Sequence, residues 1–404
     1  MSSAQMIYPM SLALWALAAV GLMPDVAPAA YASLAATVLR AEGEPPQSRP
    51  ESLGVWIDSV RRKHDIPAMA AIAFRADTVL ARGIAGVRRS NSTEAVEERD
   101  RFQLGSNTKA ITATVLATLV EEGKLKWTTT LADVFPAWRD SISADFRAVT
   151  IDLLLSHHAG ISPFEDTDAK DFRSIPRLRG TPTERRAAFT AWVLRGKPAG
   201  PIGGKGTYSN GGYTIAGAIA ERIAGESWES LVRARVFKPL ALTGAFAWSD
   251  SADLNQPWGH YETRGGSRPV DPRDPDERVP PIIWPAGSVE LSLDDYARFL
   301  QVNLRGLEGR DTPLLKAETV KHLHTSPVTP PDRFGLGWGL QDFDAAPASV
   351  HVGSAGAFYA ITIIQPTRDL GVAVFANAGG ARATAAATDV AKALIRRFAN
   401  VGEK

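Results

Sequence analysis

The sequence predicts an α+β fold, with one antiparallel or mixed sheet that takes strands from both ends of the chain and a mostly helical region between them. Three observations predict it. Near residue 53 a helix is followed directly by a hairpin, which is not the order of a βαβ repeat. From Leu131 to Pro239 the apolar spacing is mostly helical and is broken by Gly/Pro loops. From Val350 onward "VHVGSAGAFYAITIIQPTRDLGVAVFANA" alternates and runs apolar as strands do.

In chain order, Met10 to Met23, "MSLALWALAAVGLM", carries no charge; it is short for a membrane span and suits the core of a signal peptide, with Ala30-Tyr31-Ala32 as small residues before a cut at Ser33. Residues 1–32 therefore read as a signal peptide and the protein as periplasmic or secreted. The first Lys or Arg is Arg40, which keeps an uncleaved membrane anchor, or a misassigned start at Met1, as the alternatives. Residues 33–50, including "AEGEPPQSRP", read as a linker, and the folded domain is expected over 51–400. Leu53, Val55, Trp56, Ile57 and Val60 mark a helix to Lys63; Ala68–Phe74 and Val79–Val87 are strands joined by a turn at Arg75-Ala76-Asp77. Ile111, Val115, Leu116, Leu119 and Val120 share one face of a helix that starts at Ser106 and stops at Gly123. Tyr213 to Ile223 is an amphipathic helix, Pro366 to Asp369 a turn, and Thr384 to Phe398 a closing helix. The sheet part of the domain thus falls at about 51–105 and 285–400, and the helical part at about 106–284. No fixed-period repeat is present.

The chain has 404 residues, 45% of them hydrophobic, enough for a large core. Its 45 Lys+Arg nearly balance 44 Asp+Glu, and no basic cluster interleaves with aromatics, so nucleic acid is not an expected partner. Small molecules or peptides are. The absence of cysteine removes disulfides, thiolate metal sites and a cysteine nucleophile.

The chemistry centres on "FQLGSNTKAI", Phe102 to Ile111. A serine that attacks a carbonyl needs a base, and a lysine serves when burial or nearby positive charge lowers its pKa. Ser106 and Lys109 share a helical face at i and i+3, and a helix N-terminus favours an oxyanion. Alone the pair says little, because about one S-x-x-K is expected by chance in a chain this long and serine is a favoured N-cap. Three further stretches change the weighting. "TYSNGGYTIAGAIAE" puts Tyr208, a proton relay, and Asn210, a positioning amide, before an amphipathic helix. "HVGSAG", His351 to Gly356, opens a strand with small residues that let a substrate backbone lie close. "LLLSHHAGI", Leu153 to Ile161, is a helix end entering a loop.

In this order and spacing, FxLGSxxK, LLxHxxGI, YxN and HxG resemble the serine β-lactamase and penicillin-binding protein family, and within it the branch of class C β-lactamases, D,D-peptidases and related esterases. The resemblance runs from about Leu53 to Phe398. It implies a five-stranded antiparallel sheet with flanking helices, a mostly helical region, and a site in the cleft between them. It also implies Ser106 as acylated nucleophile, Lys109 as base, Tyr208 as proton relay and Asn210 as positioning group. His351 and Gly353 would then lie on the cleft strand, with the N–H groups of Ser106 and Ser354 as oxyanion hole. The chemistry needs no metal and no organic cofactor.

The sequence departs from the family at His351-Val352-Gly353, where β-lactamases and D,D-peptidases usually carry Lys-Thr-Gly. Histidine is mostly neutral at pH 7, and Val352 lacks a hydroxyl. Both changes favour esters, amides or D-amino-acid peptides over penicillins and cephalosporins, and the expected activity is a serine hydrolase of esterase-like type. A class C β-lactamase or D,D-peptidase, and a non-hydrolytic binder of peptidoglycan-like ligands or partner proteins, are the alternatives. His157 and His158 have no carboxylate at ligand spacing and read as loop-filling residues rather than metal ligands. Trp338, in "DRFGLGWGL", reads as packing in the strand before HxG, and Tyr213 and Trp258 as half-buried aromatics with satisfied polar tips. The loops Ser162 to Arg179 and Asp250 to Val279 carry no readable specificity code.

Overall fold

The computed structural model describes residues 50–399 apart from 166, 168, 247–252, 275, 276 and 278. The predicted signal peptide (1–32) and nearly all of the linker (33–50) lie outside the described residues.

One sheet of six strands organises the molecule. Helix α1 (Pro50–Lys63) leads into strands β1 (Ala68–Phe74) and β2 (Val79–Gly86), and the chain returns to the sheet only at β3 (Gly339–Phe343), β4 (Ala346–Ser354), β5 (Tyr359–Gln365) and β6 (Leu370–Ala376). The spatial order is β2-β1-β6-β5-β4-β3, with every neighbour antiparallel. Strands from the two ends of the chain meet where Met69–Phe74 pairs with Gly371–Ala376. The count corrects the expected five strands, because Gly339–Phe343 pairs with Ala346–Val350 as an additional edge. Only the end of "DRFGLGWGL" joins that strand; Phe334 touches Gly339 through an isolated bridge. The HxG motif closes β4 rather than opening it, since pairing already begins at Ala346.

Side-chain alternation splits the sheet into two faces. Val350, Val352, Ile361, Ile363, Val372 and Val374 lie on one, where they pack with Leu53 and Ile57 of α1 and with Ala387, Val390 and Leu394 of helix α6 (Ala381–Ala399). The alanines of α6 let its backbone come close to the strands. The opposite face carries Ile72, Ala360, Ala373 and Phe375 and is continuous with the core of the helical region. That region contains α2 (Thr108–Glu121), α3 (Pro182–Arg195), α4 (Asn210–Ala224) and α5 (Leu293–Leu307). Helix α2 is apolar on nearly every side, with Ile111, Val115, Leu116 and Leu119 all buried, so it runs through the middle of the protein and holds its N-terminus against the sheet.

Candidate active site

The site forms where the N-terminus of α2 meets the end of β4. Gly105–Asn107 is a single 3₁₀ turn that leads into α2 at Thr108. Ser106 therefore sits one turn before the α-helix, and its hydroxyl caps nothing: the N-cap position is Asn107, and no side-chain cap bond forms there. Asn107 instead donates from Nδ2 to Leu104 O (3.1 Å) and accepts from the Tyr296 hydroxyl (3.0 Å), which pins the turn to α5.

Two glycines allow the turn to touch the strand. Gly105 has φ +52°, and a Cβ there would meet Ser354 N at 2.7 Å. A Cβ on Gly353 would strike Leu104 O at 1.9 Å. The backbone of Gly105-Ser106 thus lies directly against that of Gly353-Ser354, with no side chain between. Gly353 and His351 share the inner face, whereas Val352 points to the opposite one among Ile361 and Val374. Valine at 352 therefore removes no hydroxyl from the cleft, contrary to the expectation from sequence.

Lys109 is fully buried, and its Nζ lies 3.1 Å from Ser106 Oγ, 2.7 Å from Asn210 Oδ1 and 2.8 Å from Ala286 O. Burial lowers its pKa from 10.5 to about 7, with Glu165 acting in the opposite direction. The partners decide what the neutral amine does. Ala286 O can only accept, and Asn210 presents its oxygen because its Nδ2 donates to Phe164 O (3.1 Å). A neutral Lys109 therefore spends both N–H bonds on these two oxygens, and its lone pair is left for the Ser106 hydroxyl. Ala286 is held in place by its neighbours: Thr112 donates to Pro285 O at 2.6 Å and Val289 N donates to Thr108 Oγ1 at 3.0 Å.

Asn210 is the first residue of α4, capped by Ser209, whose hydroxyl accepts from Gly212 N (2.9 Å) and donates to Ser162 O (2.6 Å). Tyr208 precedes it. Lys109 Nζ lies 4.6 Å from the centre of the Tyr208 ring. Burial pushes the Tyr208 hydroxyl well above its ordinary pKa, while its hydrogen bond with Ser106 pulls the other way. The group is a neutral phenol at physiological pH. Against it His157 packs at a tilt of 36°, 4.5 Å between ring centres, and accepts from Ser209 N through Nδ1 (3.1 Å). Burial, then the charge of Lys109, holds His157 neutral, well below its usual pKa. It is the platform for Tyr208, and among the described residues no cluster of His, Asp or Glu could hold a metal. Tyr213 is buried, donates to Leu155 O at 2.7 Å and walls the lysine pocket. Trp258 lies apart from this cluster, beside a hollow of about 220 Å³ lined by Arg88, Arg89 and Arg273.

His351 Nδ1 lies 2.6 Å from Gly337 O, so that nitrogen carries the proton and Nε2 keeps a lone pair. Burial, then Lys109, lowers its pKa to about 3. Trp338 is buried, stacked on His324 at 4.5 Å and edge-on to His351. Ser354 ends the strand, its Oγ accepting from Gly356 N at 3.3 Å.

The structure thus brings Ser106, Lys109, Tyr208, Asn210, His351, Gly353 and Ser354 to one cleft. Sequence reasoning missed Asn107 and the Ala286 carbonyl, and it missed Glu165, whose carboxyl burial pushes up to about 7 beside Lys109.

The family model "Beta-lactamase" matches residues 53–395. The chain belongs to the beta-lactamase family. It is a serine hydrolase of that family, which includes penicillin-binding proteins, β-lactamases, esterase-like enzymes and D-amino acid amidases. Penicillin-binding protein 4 of Amycolatopsis lactamdurans is 29% identical over 85% of this chain and 89% of its own length. The crystal structure of SurE superposes with a TM-score of 0.68 at 24% identity, covering 87% of this chain and 76% of that one. A D-stereospecific amidohydrolase from Streptomyces superposes with a TM-score of 0.63 at 21% identity, over 83% of this chain and 98% of that one. Both structures share the fold.

Proposed function

We propose that the protein hydrolyses esters, amides or D-amino-acid-containing peptides through an acyl-enzyme on Ser106. The observation that carries this reading is the forced direction of the Lys109 lone pair. In the acylation step Ser106 Oγ bonds to the substrate carbonyl carbon and its proton passes to Lys109 Nζ. The oxyanion is received by the N–H groups of Ser106 and Ser354, and collapse expels the leaving group, which takes a proton delivered through the Tyr208 hydroxyl. Water then attacks the ester by the reverse proton path and frees the acid. Because Tyr208 is a neutral phenol, it fits a relay and not the primary base.

His351 supports the esterase-like preference. Its neutral ring offers no charge to a substrate carboxylate, and its Nε2 can only accept a hydrogen bond where a lysine would donate one. The Streptomyces relative named for D-stereospecific amide hydrolysis is consistent with this substrate range. We place the enzyme in the periplasm or outside the cell on the strength of the N-terminal apolar run. N-terminal sequencing of protein recovered from a periplasmic fraction tests that placement, with Ser33 as the expected first residue.

A fluorophosphonate probe is expected to label Ser106 of the folded protein and to label no site in Ser106→Ala. p-Nitrophenyl butyrate is expected to turn over and nitrocefin to turn over far more slowly. Failure to label any serine would overturn the reading, and efficient nitrocefin hydrolysis would replace it with a β-lactamase. Stable acylation without turnover of either substrate would favour a ligand-binding protein.

A further inference from the structure

His158, the second histidine of "LLLSHHAGI", and Asp332, the first residue of "DRFGLGWGL", meet inside the protein although 174 residues separate them. The His158 side chain is fully buried, and its Nε2 lies 3.1 Å from Asp332 Oδ2. Its Nδ1 lies 2.9 Å from Ser156 Oγ, which is itself 2.6 Å from the carbonyl oxygen of Asp152 in the short helix Ile151–Leu155. A carbonyl oxygen can only accept, so the single serine proton goes to Asp152 O and Ser156 turns a lone pair to His158. Asp332 is likewise an acceptor: Oδ1 receives Arg333 N (2.6 Å) and Oδ2 receives Gly206 N (3.0 Å). With acceptors on both sides, the ring donates from both nitrogens, and its bond to the carboxylate is charge-assisted.

This chain of bonds holds the approach to Tyr208. One oxygen, Asp332 Oδ2, takes both His158 Nε2 and the N–H of Gly206, two residues before the tyrosine. Glycine is needed at 206, because a Cβ there would meet the Phe334 ring at 2.6 Å and Asp332 Oδ2 at 3.0 Å. The segment then lies along the histidine pair: Gly203 N donates to His158 O (2.8 Å), Thr207 N to His157 O (2.9 Å) and Ser209 N to His157 Nδ1 (3.1 Å). His157 takes the left-handed conformation, φ +67°, uncommon for a residue with a side chain, and Phe334 packs edge-on against its ring at 5.1 Å. Tyr208 packs on that same ring. The tyrosine thus has two supports, the His157 ring and the backbone that Asp332 holds beside it, and the His158–Asp332 bond joins them.

We propose that His158 and Asp332 are positioning residues for Tyr208, holding its hydroxyl on the path by which the leaving group receives its proton. Among the described residues neither makes a hydrogen bond to Ser106 or Lys109, so their influence falls on departure of the leaving group more than on attack. In acylation by an alkyl ester, the proton that Ser106 gave to Lys109 passes through the Tyr208 hydroxyl to the departing oxygen as the C–O bond breaks. A p-nitrophenolate departs as an anion and needs no such proton. The inference rests on the acyl-enzyme reading and on the relay given there to Tyr208.

The test compares p-nitrophenyl butyrate with trifluoroethyl butyrate on the full chain. Both give the same butyryl-enzyme, so the ratio of their kcat/KM values reports acylation and, within it, protonation of the leaving group. His158→Ala and Asp332→Asn are each expected to lower kcat/KM about tenfold or more for the trifluoroethyl ester and only a few-fold for the p-nitrophenyl ester. Tyr208→Phe is expected to shift the ratio further in the same direction, and His158→Ala added to it is expected to change the ratio no more. Fluorophosphonate labelling of Ser106, in which fluoride leaves without a proton, is expected to stay within a few-fold of the native rate in each variant and shows that the site is assembled. Asp332→Asn keeps the side-chain volume, so it decides the matter if His158→Ala loses labelling by unfolding. A ratio unmoved by the two substitutions, or one that His158→Ala still moves in the Tyr208→Phe background, overturns the assignment. Loss of labelling in both variants marks the pair as holding the fold and overturns it too. A ratio unmoved by Tyr208→Phe itself overturns the relay, and absence of labelling in the native protein overturns the acyl-enzyme reading, so the failures are told apart.

Discussion

Among the described residues two cations, Lys109 and Arg186, are completely buried in the helical region, and the chain treats them in opposite ways. Arg186 of α3 places Nη2 2.6 Å from Glu221 and 2.9 Å from Glu229, with Nη1 on Pro281 O at 2.9 Å. Burial works against its charge, but the hydrogen bonds and charges of Glu221 and Glu229 more than offset it and raise its pKa above the ordinary value. Lys109 has neutral oxygens at hydrogen-bond distance, while the carboxyl that could pair with it stays outside ion-pair range. Its pKa falls to about 7. The first arrangement yields a permanent charge that ties α3 to α4; the second yields a proton acceptor at neutral pH. The difference lies in the partners and in the choice of arginine or lysine, since both side chains are buried.

The comparison breaks or sharpens under substitution. Lys109→Met is expected to cut kcat/KM for p-nitrophenyl butyrate by about 10²- to 10⁴-fold, while the urea midpoint stays level or rises because a costly buried amine is gone. A lower midpoint would show that Lys109 is structural after all. Arg186→Met leaves buried Glu221 and half-buried Glu229 without their cation and is expected to lose about 3–5 kcal/mol of stability, read by the same urea titration; a neutral result would mean that water reaches that cluster.

The two sites also differ in their response to pH. Between about 7 and 10.5 the unfolded lysine binds a proton that folded Lys109 has released, so the stability of the native protein rises with pH across this window. The stability advantage of Lys109→Met is therefore largest below pH 7 and shrinks toward pH 10.5, whereas the deficit of Arg186→Met stays nearly constant in that range. Urea titrations at pH 7 and near the top of the window measure both. In activity, kcat/KM for a neutral ester is expected to fall with an acid limb near pH 7. The smallest effect expected is for His351→Lys, a few-fold gain for carboxylate-bearing substrates relative to neutral esters. An unchanged ratio would place residue 351 out of reach of bound substrate.

Much of this was legible in the sequence where a residue's chemistry and its local element coincide. The apolar spacing after Ser106 marks a helix, and a serine three residues before a lysine at its start already implies contact between them. The strands of the hairpin and of the C-terminal sheet were readable because alternation records burial directly. What escaped depends on contacts distant in sequence. The Ala286 carbonyl is a backbone atom in "WPAG", and nothing in that string says it will sit over Lys109, 177 residues away. Glu165 looks like any loop acid until the fold buries it within reach of the Lys109 charge. The outward direction of Val352 follows from strand parity, but only once Gly353 is known to lie against Leu104.

That last contact has a consequence for how such a cleft can diversify. The Gly105–Asn107 turn that carries Ser106 is seated on main-chain atoms, those of Leu104, Gly353 and Ser354, and Lys109 is held by the Ala286 carbonyl and by an amide fixed on the Phe164 carbonyl. Side chains around the mouth can be exchanged without shifting the Ser106 oxygen. A scaffold of this kind separates the inheritance of reactivity from the inheritance of taste: residues at the mouth can redirect which acyl donor enters while the machinery beneath them stays as it was.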